Sequence, residues 1–309
     1  MGGKRRLVLA VIVVGLVILL LPEPALAWTP GTHIYLGESV LANLSALPTL
    51  AADLIRAFPF DFLYGNIAAD SSIAKKYAPV GRHCHAWHVG QEIHDLAKTD
   101  QLRAFGLGYL CHLAADTVAH NYFVPRQLVL TSATTGFGHS YWESRFETPL
   151  GDEFARTAKE VILLDHTSAD AHLDRLISPT IFSVRTNRRL FRGMVHLTET
   201  QGWQRAFQVA NEHSRWELPQ SEFEAFLSMS YDYVMEFLTD EDSAARRLDP
   251  SGEHPLRIAK GMRRQALMAG AWRDASRLRA VAEAQFGLPE RELRFWPTSR
   301  LKAPWRTTA

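Results

Sequence analysis

Cysteine is scarce in this chain of 309 residues: Cys84 and Cys111 are the only two. Two thiols cannot make a disulfide-stapled scaffold or a cysteine-rich zinc module. Net charge is scarce too. Lys and Arg total 34 against 33 Asp and Glu, a balance of +1, which is too little to coat a nucleic acid by bulk charge. No segment sustains period-two alternation of Val, Ile and Thr between turn signals, which excludes a convincing sheet. No repeat or low-complexity tract interrupts the chain. At 47% hydrophobic and 10% aromatic residues it is too apolar for disorder, and it is long enough for a sizeable core. Its one long hydrophobic run, Leu7 to Leu21, falls short of the roughly 20 residues that span a bilayer. Lys4, Arg5 and Arg6 precede that run, Pro22-Glu23-Pro24 ends it, and Ala25-Leu26-Ala27 forms an A-x-A cleavage site. The expectation is a cleaved export signal over residues 1–27, with Trp28 as the mature N-terminus. An uncleaved membrane anchor is the alternative.

What is present is helical pattern. Apolar periodicity predicts an all-α fold, with helices over 36–57, 87–98, 101–124, from near His139 to Pro149, and over 151–164, 203–212, 220–238 and 256–285. The stretch 61–82, rich in Gly, Asp and Ser, reads as a loop, as does 131–138, and Pro125 marks a helix end. From Glu217 to Asp242 there are eight acidic residues and no Lys or Arg. From Leu256 to Ala309 there are 12 Lys and Arg against four Asp and Glu. These are either two solvated helix faces that attract each other, or a basic tail, with Trp296 and Trp305, that meets an anionic membrane surface.

The composition is most unusual in histidine. Eight of the 13 fall between His33 and His139. His112, Asp116 and His120 recur every fourth residue, so on a helix they project from nearly one face, among Leu, Ala and Val. A hydrogen-bonded ladder would explain that stripe, and so would a metal. Unpaired, each buried polar group would cost about 1–3 kcal/mol. His139 and Glu143 repeat the same spacing. His83, His85 and His88 flank Cys84, Asp70 closes the Gly65-Asn66-Ile67-Ala68-Ala69-Asp70 stretch, and His33 follows Trp28 by five residues. Imidazole and carboxylate suit zinc, and the set is too large for one tetrahedral site. Cys84 and Cys111, each just before a candidate ligand, are either a disulfide or two buried thiols. His94, His166, His172, His196, His213 and His254 read as structural or surface residues. Gly106-Leu107-Gly108 follows no strand and is no nucleotide loop.

The order Trp at the cleaved terminus, then His, Asp, His, HxxxD, His and HxxxE resembles the bacterial zinc-dependent phospholipase C family. It is also similar to the single-strand-specific zinc nucleases that share that fold. The resemblance implies an all-α domain over 28–240 with up to three zinc ions in one cleft, followed by a C-terminal helical extension over 241–309. Carried over, Asp70, His85, His112 and Asp116 hold one ion, with His83 as the alternative to His85 and His88 as an outer donor. Asp116 bridges to a second ion on the Trp28 amine and carbonyl and His33. His120, His139 and Glu143 hold the third. The implied activity is phospholipase C-like hydrolysis of a glycerophospholipid, with Asp70 binding metal and orienting or deprotonating the attacking water. A nuclease of the same architecture is the alternative, as is a zinc-stabilised binding module without turnover.

Overall fold

A computed structural model describes residues 28–296, apart from 74, 80, 132–137, 199–215 and 271–272. The leader 1–27, the helix expected over 203–212, most of the loop expected over 131–138, His213 and Trp305 therefore lie outside the described residues. Every regular element among the described residues is helical, as the periodicity implies.

The chain opens with α1 (Pro30–Ala42), α2 (Thr49–Ala57) and α3 (Pro59–Ala68). The single helix expected over 36–57 is thus two. Pro48 cannot continue a helix, and Leu47 before it is extended at ψ 157°. The loop expected over 61–82 begins only after Ala68. Pro59 starts α3, Asp61 sits in its first turn, and Phe62, Leu63 and Ile67 are buried. Gly65 reads as a loop residue but serves close packing, as shown below.

Next come α4 (Trp87–Asp95) and α5 (Asp100–Val118). The side chain of Thr99 caps α5 by accepting from Leu102 N. α5 is buried on nearly every face, as befits the central helix of an all-α domain. It runs into one π-helical turn, Ala119–Phe123, and on into α6 (Val124–Leu130). Pro125 therefore does not end the helix. The ladder has already widened, with Val124 N bonding to Ala119 O, and Pro125 sits in the first turn of α6, where a missing N–H costs little.

The remaining helices are α7 (Gly138–Glu147), α8 (Asp152–Leu163), α9 (Thr167–Leu176), α10 (Val184–Thr198), α11 (Gln220–Thr239), α12 (Glu253–Met268) and α13 (Ala275–Phe286). α9 and α10 are not among the helices expected from the sequence. The helix expected over 256–285 is divided between α12 and α13, where Gly270 takes a positive φ of 66° and Asp274 caps the restart.

α5 packs against α3, α4 and α11. Between α3 and α5 the backbones nearly touch. A Cβ on Gly65 would lie 2.1 Å from Phe105 O, and one on Gly108 would lie 2.0 Å from Phe62 O. Only glycine permits that approach. α12 and α13 pack on α6. There Arg126 reaches both Glu222 of α11 and Glu283 of α13. The acidic and basic segments meet further along α11. Asp232, fully buried, accepts from Arg291 Nη2 at 3.0 Å and from the backbone amides of Arg294 at 2.7 Å and Phe295 at 2.9 Å. Arg291 also pairs with Glu236.

Candidate metal centre

Four elements deliver ligand-type side chains to one buried point. Asp70 lies in the 3-10 turn Ala69–Ser71 that follows α3. His85 lies just before α4, His112 and Asp116 lie one turn apart on α5, and His33 lies in the first turns of α1. The close passage at Gly65 and Gly108 sets the register. It lets Asn66 O accept a hydrogen bond from His112 Nδ1 at 2.7 Å. That bond fixes the tautomer and turns the Nε2 lone pair inward.

The inward atoms form a compact set. His85 Nε2 lies 3.0 Å from His112 Nε2 and 2.9 Å from Asp116 Oδ2. Asp116 Oδ2 is 3.2 Å from His112 Nε2. Asp70 Oδ1 is 3.3 Å from His85 Nε2 and 3.9 Å from His112 Nε2. Zinc bonds of about 2.0–2.1 Å in a tetrahedron require donor pairs about 3.3 Å apart. The observed spacings bracket that value. Asp116 Oδ1 turns the other way, 3.2 Å from His33 Nε2, and the His33 ring stacks on His112 at 3.9 Å.

Hydrogen bonding alone leaves this cluster unsatisfied. Asp70 Oδ2, both Asp116 oxygens and both His33 nitrogens are buried without a partner of acceptable hydrogen-bond direction. Short distances without hydrogen-bond direction are what a shared cation explains. The donor set, imidazole and carboxylate without thiolate, fits zinc.

The electrostatics agree. Burial alone would raise the Asp116 carboxyl, but His112 and the other facing imidazoles hold it well below the usual carboxylate range. Burial, with His112 alongside, lowers His33 and keeps it a neutral, ligand-ready imidazole. Asp70 would also rise on burial, but Lys75 and then His112 bring it down. Lys75 was not anticipated. Its Nζ donates to Asp70 Oδ1 at 2.8 Å and lies 3.2 Å from His85 Nε2.

The other expected ligands are placed as follows. Trp28 is buried, its indole against Phe123 and Phe146, with Nε1 donating to Ala115 O at 3.1 Å, next to Asp116. His120 is buried in the π turn, its ring centroid 6.2 Å from that of His85, and its Nδ1 donates to Pro250 O at 2.6 Å. That carbonyl belongs to the connection before α12, where Gly252 packs directly on His120. Glu143 is buried on α7. His139 lies one turn before it, and its side chain is outside the described residues.

Of the three neighbouring histidines, His85 meets Asp70, His112 and Asp116. His83 is only half-buried, and its Nδ1 accepts from His85 N at 3.1 Å. His88 is exposed and bonds to Gly81 O. Cys84 and Cys111 are both free and buried, so the disulfide alternative gives way to two thiols. Cys84 Sγ lies 3.2 Å from His85 Nδ1, where it steadies the ring. His166 and His172 bond to the carbonyls of Val161 and Ile93, which is a structural role. The spacing pattern could not show Lys75 or the Pro250 carbonyl. A buried lysine carries no motif, and Pro250 is 130 residues from His120.

The family described as zinc dependent phospholipase C matches residues 32–189, just over half of the chain. No curated protein and no solved structure gives a significant match.

Proposed function

Because the chain belongs to the zinc-dependent phospholipase C family, we propose that it is an exported phosphodiesterase that hydrolyses glycerophospholipids by water attack. The observation that carries the reading is two buried donor groups that share His112, Asp70 with His85 and His112, and His33 with His112 and Asp116, with Asp116 Oδ2 also 2.9 Å from His85 Nε2. Asp70, His85, His112 and Asp116 would hold one ion. His33 and the outer oxygen of Asp116, with the Trp28 amine and carbonyl by the family resemblance, would hold a second. By the family resemblance, His120 and Glu143 with His139 would hold a third. Bound zinc lowers the pKa of a coordinated water, polarises a phosphoryl oxygen and stabilises the leaving alkoxide.

The protein's own groups orient and hold. Asp116, held well below the usual carboxylate range by the imidazoles that face it, offers one oxygen to each side. Asn66 O and Pro250 O fix the tautomers of His112 and His120, so that Nε2 of each is the ligand atom. Asp70 carries the Lys75 ammonium on Oδ1, which makes it a weak base. Its Oδ2 accepts from the attacking water and aims it, rather than removing its proton. Export rests on the leader over residues 1–27, whose cleavage frees the Trp28 amine as a ligand. Among the described residues no helix is long and apolar enough to cross a membrane.

The test is an assay of the zinc-loaded protein on phosphatidylcholine vesicles and on single-stranded DNA, with and without chelator. Diacylglycerol release that stops on chelation is the expected result. Cleavage of DNA instead would move the reading to a nuclease. Zinc binding without cleavage of either substrate would leave a binding module.

A further inference from the structure

Lys75 sits inside the centre, and the hydrolysis described above gives its charge only a minor part. The side chain is 5% exposed. Nζ lies 2.8 Å from Asp70 Oδ1 and 3.2 Å from His85 Nε2, and these two atoms are 3.3 Å apart. The ammonium therefore caps one edge of the donor set. A fixed cation so close to a divalent ion weakens binding of that ion. A side chain that opposes the centre's own metal calls for another use.

The geometry supplies one. With its Nδ1 proton directed at Cys84 Sγ, 3.2 Å away, His85 Nε2 carries the ring's single free lone pair. That lone pair accepts a hydrogen bond from Lys75 Nζ or it binds zinc, and it cannot do both. Zinc held by His85 would therefore take that contact from Lys75, while Asp70 Oδ1 would keep the ammonium in place. The N–H released in this way lies against the donor cluster, beside which an anionic phosphoryl oxygen must bind to be attacked.

We propose that Lys75 is a phosphoryl-binding residue of the loaded centre, which donates to a non-bridging oxygen of the substrate's phosphodiester or of a phosphate product. This rests on the zinc phosphodiesterase reading. Lysine suits the role as a compact point charge on a stem that is already buried.

The experiment titrates inorganic phosphate into zinc-loaded protein by calorimetry, for wild type, Lys75→Met and Lys75→Arg. Zinc number and affinity are measured on the same samples by chelator competition. Lys75→Met should bind phosphate roughly ten- to a hundredfold more weakly, the loss expected of one charged hydrogen bond. It should hold as many zinc ions as wild type, at least as tightly. Lys75→Arg should stay within about threefold of wild type, since the charge remains. If Lys75→Met loses helicity, Lys75→Gln decides by the same measurements, because it retains a donor without charge.

Unchanged phosphate affinity at equal zinc content overturns the proposal, and tighter zinc binding alone would make Lys75 a mere counter-ion for Asp70. Fewer zinc ions in Lys75→Met would make it a ligand support and overturn the proposal as well. A wild type that takes up no zinc removes this inference together with the phosphodiesterase reading. A wild type that binds zinc and phosphate through Lys75 yet cleaves no phospholipid refutes only the choice of substrate.

Discussion

Replacing Gly108 by alanine would put a methyl group at the place where α3 and α5 touch. The new Cβ would lie 2.0 Å from Phe62 O, 2.9 Å from Phe62 C and 3.1 Å from Asn66 N. A carbon–oxygen contact relaxes at about 3.3 Å, so α3 has to retreat by about 1.3 Å. Asn66 lies on that face, and its carbonyl holds His112 Nδ1 at 2.7 Å. The same retreat stretches that bond to about 4 Å, beyond hydrogen-bond range. Overpacking costs about 1–3 kcal/mol and the lost bond about 0.5–1.5 kcal/mol, together about 2–4 kcal/mol. For a folded chain of this size that lowers Tm by about 4–8 °C. Freeing His112 to rotate also costs zinc affinity, about ten- to a hundredfold. Calorimetric melting and zinc competition with a chromophoric chelator read the two effects. Gly261→Ala is the internal control. It lies within α12 with nothing near the new Cβ, and should gain about 0.5–1 kcal/mol from helix preference alone. If Gly108→Ala behaves like Gly261→Ala, with Tm and zinc affinity not reduced, the coupling of helix contact to ligand orientation is wrong.

Gly252→Ala strains a residue at φ 60° and places a Cβ 2.3 Å from His120 Cβ. It should pull His120 off Pro250 O and lose one zinc equivalent by elemental analysis, with unchanged helicity by circular dichroism. Burial pushes the Glu147 carboxyl up to about 7, against a partial lowering by Thr29. The folded state holds that proton more tightly than the unfolded chain. Its contribution is therefore complete below pH about 4.5 and is lost as pH rises to about 7. Discounted for partial exposure, the effect is about 1–2 kcal/mol. Glu147→Gln should match wild type at pH 4.5 and exceed it by that amount at pH 8 in urea unfolding, and equal stabilities at both pH values would contradict the burial argument. Chelation of wild type should lower Tm, because His33 of α1, Asp70 after α3, His85 before α4 and the ligands of α5 lose the ion that joins them, and a Tm indifferent to chelator would argue against a resident metal.

The stripe His112, Asp116, His120 was legible because three ligand-type residues recur at one-turn spacing among Leu, Ala and Val. Asp70, His85 and His33 were legible only through their order along the chain, which resembles the family. Their meeting depends on Gly65 and Gly108, and there the residue type misleads: glycine in 61–82 reads as a loop, whereas in the fold it lets two helices touch. Pro125 misled in the same way, since one π turn absorbs it. α9 escaped notice because it is short and of mixed charge, whereas α10 carries a clear amphipathic pattern, with Arg185, Arg188, Arg189 and Arg192 among Leu190, Phe191 and Val195, that the reading passed over. Lys75 carries no motif and the Pro250 carbonyl meets His120 only through the tertiary fold, so no local pattern points to either.

The central claim is that a carboxylate shared between two cations organises the site. Asp116→Asn preserves shape and removes the charge that faces His33 on one side and His85 with His112 on the other. The direct measurement is zinc per chain, by inductively coupled plasma mass spectrometry, on wild type and Asp116→Asn purified side by side. The account expects zinc in wild type and a loss of about two equivalents in Asp116→Asn. Equal zinc content in the two proteins would contradict it.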